Sequence, residues 1–177
     1  MNEHSTTQSE SAAAHAPSPS QFTSSPLRNR LRLELDAPVS RVWELLGDLA
    51  RFPEYSVGLE RVDVKQDEAG RCVEYTCYFK PPEAGAPHAV SRNVMKWYEP
   101  NRGYLSVEVE GDAGTDGAVA LTTLDPIPRG TRLTSDMHFD AEDNDAAKAQ
   151  LDEALGDIAE NLIRRFGGTL TERYVEV

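Results

Sequence analysis

Leu31, Leu33 and Leu35 alternate with Arg32 and Glu34, the period of a strand with one buried face. The alternation stops at Asp36-Ala37-Pro38. There Asp36 is placed to accept backbone N–H bonds at a helix start, and Pro38 suits a first turn that needs no donor. Val39, Val42, Trp43 and Leu46 follow at helical spacing. Gly47-Asp48 breaks that helix and caps a second, short one over Leu49, Ala50 and Phe52, which Pro53 ends. Six further strands are predicted, over Val57–Lys65, Arg71–Lys80, His88–Tyr98, Tyr104–Glu110, Ala118–Asp125 and Thr131–Asp140. Turns rich in Gly, Pro, Asn and Asp separate most of them, the pattern of antiparallel neighbours. From Asp143 to Phe166, Ala147, Leu151, Leu155, Ile158, Leu162 and Phe166 form one helical stripe. Asp143 and Asp145 stand at its positive end, Arg164 and Arg165 at its negative end, and Gly167-Gly168 supplies a left-handed stop. The expected fold is α+β: a curved antiparallel sheet of about seven strands wrapped around a long C-terminal helix. Two short helices follow the first strand, and an internal cavity lies between sheet and long helix.

The chain of 177 residues divides into three parts. Residues 1–26, rich in Ser, Thr, Ala and Pro and free of Lys and Arg, read as a disordered arm. Residues 27–168 form one domain, large enough to bury its own core. Residues 169–177 are a tail that either extends the sheet edge or hangs loose. The arm has neither the basic start nor the apolar run of a secretory leader, and no segment is apolar enough to span a bilayer. A cytoplasmic location is the expectation.

A net charge of −12 argues against a nucleic-acid surface, which would need clustered Lys and Arg. Cys72 and Cys77 are five apart in one predicted strand, which points them to opposite faces and away from a disulfide. No Cys/His cluster has zinc spacing, so no metal is expected. The GDAGTDG stretch at Gly111–Gly117 lacks the spacing and following helix of a phosphate loop, and no cofactor is expected. Asp136 and His138 share one strand face, but Ser135 points the other way, which rules out a hydrolase triad.

The stretch LDAPVSRVWELLGDLARFPEY (Leu35–Tyr55), the GTRLT opening of the last strand (Gly130–Thr134) and the terminal helix resemble the SRPBCC superfamily with its START-like helix-grip fold. The polyketide cyclase/dehydrase branch is the nearest in pattern, and the resemblance covers roughly residues 28–168. It implies a deep cavity lined by the concave sheet face and the terminal helix, with Phe52 facing it. Aromatase/cyclase relatives hold a basic residue late in the strand after the Pro81–Pro87 loop, and Arg92 and Lys96 are the candidates here. They share strand parity with Val94 and would together polarise a carbonyl or stabilise an enolate. Tyr75 is a candidate proton donor. Tyr55, Ser135, Met137, Leu151, Leu155 and Ile158 complete the expected ligand-lining set. The partner implied is a hydrophobic small molecule, polyketide-like or polycyclic, bound by a monomer or homodimer that does not insert stably into membranes. Cyclase or dehydratase turnover is one expectation. A non-enzymatic carrier or sensor for a lipid or hydrophobic metabolite is the other.

Overall fold

The structure is a computed structural model that describes residues 15–141 and 145–177. Its elements run β1 (Leu27–Leu35), α1 (Val39–Leu46), a 3-10 helix (Leu49–Glu54), β2 (Leu59–Gln66), β3 (Cys72–Phe79), β4 (Val90–Glu99), β5 (Gly103–Gly111), β6 (Asp116–Ile127), β7 (Gly130–Asp140), α2 (Asp145–Phe166) and β8 (Gly168–Val175). The eight strands form one antiparallel sheet in the order β2-β3-β4-β5-β6-β7-β1-β8. It is the expected helix-grip arrangement with one strand added. Residues 169–175, left open from sequence, extend the sheet beside β1.

Local chemistry explains the boundaries. The α1 helix starts at Pro38, which serves as N-cap without a side-chain hydrogen bond. Asp36 was expected to cap it. Its carboxylate instead receives Nη2 of Arg129 at 3.0 Å. Asp48 caps the 3-10 helix, accepting from the Ala50 N–H at 3.2 Å. Pro53 lies inside that helix rather than ending it, because a 3-10 turn this short loses little when one donor is missing. Gly167 closes α2 at φ 73°, its N–H donating to the Ile163 carbonyl. Gly168 is held at φ 123°, where a Cβ would strike the Glu34 carbonyl, so β8 can lie close against β1 only with glycine there. The predicted position of Asp143 falls outside the described residues.

Leu31, Leu33 and Leu35 are fully buried, with Leu124, Leu133 and Val42, Leu45 and Leu46 of α1 around them. Each such side chain contributes about 1.5–3 kcal/mol by leaving water. The α2 helix packs over β1 and β8 and drives Ala159 and Leu162 into this core. A second cluster, Leu49, Leu59, Val62, Cys72, Tyr75, Cys77 and Tyr104, lies over β2–β5. Trp43 and Phe52 pack against both clusters and join them.

Two further expectations change. Cys72 and Cys77 do not point apart: both are buried in the second cluster as free thiols. Lys65 pairs with Glu74 and Gln66 with Cys72, so Val73 is an extra residue in β3, and this bulge restores Cys72 to the inner face. The arm was expected to be disordered through residue 26. Its first fourteen residues lie outside the described ones, but Pro19–Gln21 forms a 3-10 turn against β6. The Ser25 carbonyl meets Nδ1 of His138 at 3.1 Å on the outer sheet face.

Candidate functional site

Strand register identifies the concave face. Ser135 and Leu133 pair with Leu31 and Leu33, Thr122 with Ser135, Tyr104 with Thr122, Ser106 with Met95, and Tyr75 with Asn93. Over β1 and β7 this face is leucine-rich. Over β4–β6 it is polar: Ser91, Asn93, Ser106, Glu108 and Thr122 are all buried. Buried polar atoms require partners, and here they find one another.

The Tyr75 phenol reaches across β4 to the Ser106 hydroxyl, 2.8 Å away. Asn93 donates to the carbonyl and hydroxyl of Ser91 at 3.1 and 3.0 Å, and the Ser91 hydroxyl donates to Glu108 at 2.5 Å. Glu108 also accepts from the backbone of Gly117 and Ala118. Tyr104 has Thr122 as its hydrogen-bonding neighbour. Tyr55 differs. It is buried, its ring is 5.0 Å from that of Phe52, and its hydroxyl has no partner among the described residues.

Burial sets the protonation of the cluster. It pushes the Tyr104 phenol up to about 12 and holds the Tyr55 and Tyr75 phenols well above their ordinary value, each raised further by the other phenols or the Cys77 thiol nearby. These groups are therefore neutral hydrogen-bond donors at any physiological pH. Burial likewise lifts Cys72 to about 11 and Cys77 to about 12, so neither thiol is a nucleophile at neutral pH. Desolvation also raises the Glu108 carboxyl above its usual range, against the pull of the Ser91 hydroxyl.

The structure separates the sequence-predicted residues into two groups. Tyr75, Tyr55 and Phe52 meet in the interior. Ser135 and Met137 are half-buried on the concave side of β7. Leu155 and Ile158 are half-buried against the leucine core, and Leu151 is half-buried one turn earlier on α2. Arg92, Val94 and Lys96 are the correction. Arg92 pairs across the sheet with Thr76 and Glu110 and lies on the outer face, with its guanidinium 3.4 Å from Glu74 and 3.2 Å from Glu110. Val94 sits between Glu74 and Val107 on that face, and Lys96 is exposed. A cation on the concave side would have lost its hydration. On the outside Arg92 keeps both water and partners.

A model of the family described as polyketide cyclase / dehydrase and lipid transport matches residues 30–176. The chain belongs to that family. Solved structures agree on the fold. A START superfamily protein from Mycobacterium smegmatis aligns with a TM-score of 0.65 at 14% identity, over 80% of this chain and 97% of the other. Ginseng major latex-like protein 151 from Panax ginseng gives 0.59 at 11% identity, over 79% and 97%. The di-domain ARO/CYC StfQ from the steffimycin biosynthetic pathway gives 0.53 at 15% identity, over 78% of this chain and 45% of that one. No curated protein matches the chain in sequence.

In this polyketide cyclase/dehydrase and lipid transport family member, the interior polar residues that sequence reasoning missed are Ser91, Asn93, Tyr104, Ser106, Glu108 and Thr122. Their signal was present as polar residues at alternate positions, Ser91 and Asn93 in β4, then Tyr104, Ser106 and Glu108 in β5. Polar alternation ordinarily marks a solvated face, and here it marks the buried one. Among the described residues no helix is long and apolar enough to cross a membrane.

Proposed function

We propose that the concave face binds a hydrophobic small molecule, polyketide-like or polycyclic, that carries oxygen functions. The observation that supports this reading best is the Tyr55 hydroxyl, a buried donor with no partner among the described residues, in an interior shared with the phenols of Tyr75 and Tyr104. A ligand carbonyl or hydroxyl entering there would satisfy it. Phe52, Leu155 and Ile158 supply apolar contact, and Ser135 and Met137 line the β7 side.

Confinement of a flexible ligand against this face favours one near-attack fold. Neutral phenols then hydrogen-bond to a carbonyl oxygen, where they stabilise the enolate formed as a proton leaves the adjacent carbon. Glu108 is the carboxyl of the cluster suited to take up or return that proton. Cyclase or dehydratase chemistry of this kind no longer relies on Arg92 or Lys96. Their outward placement favours the second reading, a carrier that holds such a molecule without turnover.

Native mass spectrometry of the purified protein, then denaturing extraction, tests for a resident ligand. Titration with 1,8-dihydroxyanthraquinone, followed by quenching of the two tryptophans, tests the face directly. Saturable one-to-one binding, weakened in Tyr75→Phe, is expected; non-saturable binding by the wild-type protein overturns the reading. Accelerated cyclisation of a 1,5-diketone that is lost in Glu108→Gln marks an enzyme, and binding without acceleration marks a carrier.

A further inference from the structure

The seam between β3 and β4 is open at the start of β3, where Cys72 and Val73 have no partner in β4. Pairing joins Glu74–Tyr78 to Val90–Val94 and stops there, although β4 continues to Glu99. Two irregularities sit at the end of the paired stretch. Val73 bulges out of β3, and Lys96 is the extra residue in β4 between Met95, paired with Ser106, and Trp97, paired with Leu105. Bulges facing each other across one seam twist the two strands apart.

A cleft of about 160 Å³ occupies the gap, lined by Asp67, Arg71, Cys72, Val73, Met95, Lys96, Trp97 and Tyr98. Its walls come from both sides of the sheet. Cys72, Met95 and Tyr98 belong to the inner cluster, whereas Val73 and Lys96 are exposed and Trp97 shares the outer face with Leu105. At the inner end, Tyr98 stands 5.2 Å from Trp43 and donates to the Gly47 carbonyl at 2.8 Å. Through Tyr98 the cleft adjoins the aromatic junction between the two cores.

Charge at the rim is specific. Lys65 and Arg92 are held by Glu74, and Arg71 by Asp67. This leaves Lys96 as the rim cation without a carboxylate partner among the described residues, in a chain of net charge −12.

We propose that this cleft is a lateral binding site for a hydrophobic molecule ending in a single carboxylate. The proposal rests on the ligand-binding reading above and names its ligand class and its port of entry. The carboxylate pairs with the Lys96 ammonium at the rim. The apolar body passes between Val73 and Trp97 to Met95 and Tyr98, and from there toward Trp43. One rim cation unpaired among the described residues matches one negative charge, and the apolar inner wall rejects a second.

The test compares decanoate with decanol, below micellar concentrations, by tryptophan fluorescence on the full chain. Wild type is expected to bind decanoate more tightly than decanol. Lys96→Met should weaken decanoate about fivefold, the scale of one partly exposed ion pair, and leave decanol unchanged. Lys96→Arg should restore decanoate binding. Equal loss for both probes in Lys96→Met, or no loss for decanoate, overturns the proposal. If 1,8-dihydroxyanthraquinone binds but decanoate does not, the lateral site fails and the concave-face reading stands. If none of the three binds, both fail.

Discussion

Replacing Tyr55 and Tyr75 by phenylalanine should move stability in opposite directions, although both are buried tyrosines in one interior. The Tyr75 hydroxyl is bonded to Ser106 at 2.8 Å, and Ser106 is fully buried. Tyr75→Phe strands the serine hydroxyl where no water reaches it, at a loss of about 1–3 kcal/mol. The Tyr55 hydroxyl has nothing to lose, since it is buried without a partner among the described residues. Tyr55→Phe removes a desolvated donor and keeps the ring against Phe52, so the ligand-free protein should gain about 1 kcal/mol. In a chain of this size that is a rise in Tm of about 2–4 °C. Urea unfolding of both variants and of Tyr75→Phe/Ser106→Ala gives the comparison. The double variant should recover most of the Tyr75→Phe loss, because both ends of the bond are then apolar. If Tyr55→Phe costs as much as Tyr75→Phe, the Tyr55 hydroxyl is satisfied in solution, and the argument for a ligand oxygen beside it collapses.

Other expectations concern charge and backbone. Glu108 has its folded-state pKa raised, so its contribution is stabilising below the unfolded value of 4.5, and that stability is lost as pH rises through the folded value. Glu108→Gln should flatten this part of the stability–pH curve, read by thermal melts from pH 4 to 8. Glu54 has the opposite sign. Hydrogen bonds from Arg51 and Arg165 lower it to about 2, so its contribution holds above 4.5 and fades as pH falls toward 2, and Glu54→Gln should remove only that acid-side loss. Arg30→Met breaks the bidentate pair to Asp136 at 2.7 and 2.9 Å, which should cost about 1.5–3 kcal/mol and leave ligand affinity untouched, since the pair lies on the outer face. Gly168→Ala forces a Cβ against the Glu34 carbonyl at φ 123°, and a loss of at least about 2 kcal/mol is expected in denaturant unfolding.

The sequence made the frame readable because most of its cues agree. Leu31, Leu33 and Leu35 alternate, Asp48 caps, and the stripe of α2 ends at a glycine pair. Each element carried its own boundary chemistry. The interior was harder to read for two physical reasons. First, the concave face over β4 and β5 is lined with Ser91, Asn93, Ser106 and Glu108, while the outer face holds fully buried Leu105 and Val119, so alternation there points the wrong way. Second, the bulges at Val73 and Lys96 each insert one residue, and a one-residue slip reverses every later assignment of sides. Parity therefore placed Cys72 opposite Cys77, whereas Arg92 was placed inside by the resemblance to aromatase/cyclase relatives. Tyr75 lies beyond the Val73 bulge, in step with Cys77, and its inward placement was unaffected.

The position of β1 in the sheet has a consequence for the order of folding. Strands β2 to β7 form a meander in which each pairs with the next, so their contacts are local. β1 pairs with β7 and β8, segments made last. During synthesis its three leucines wait while well over a hundred residues are added, about ten seconds or more at ribosomal speed. The strand that anchors the leucine core is thus the one with the most distant partners. Its pairings have the largest sequence separation in the sheet and are expected to form late, and until β7 and β8 emerge its leucines have no neighbouring strand to pack with.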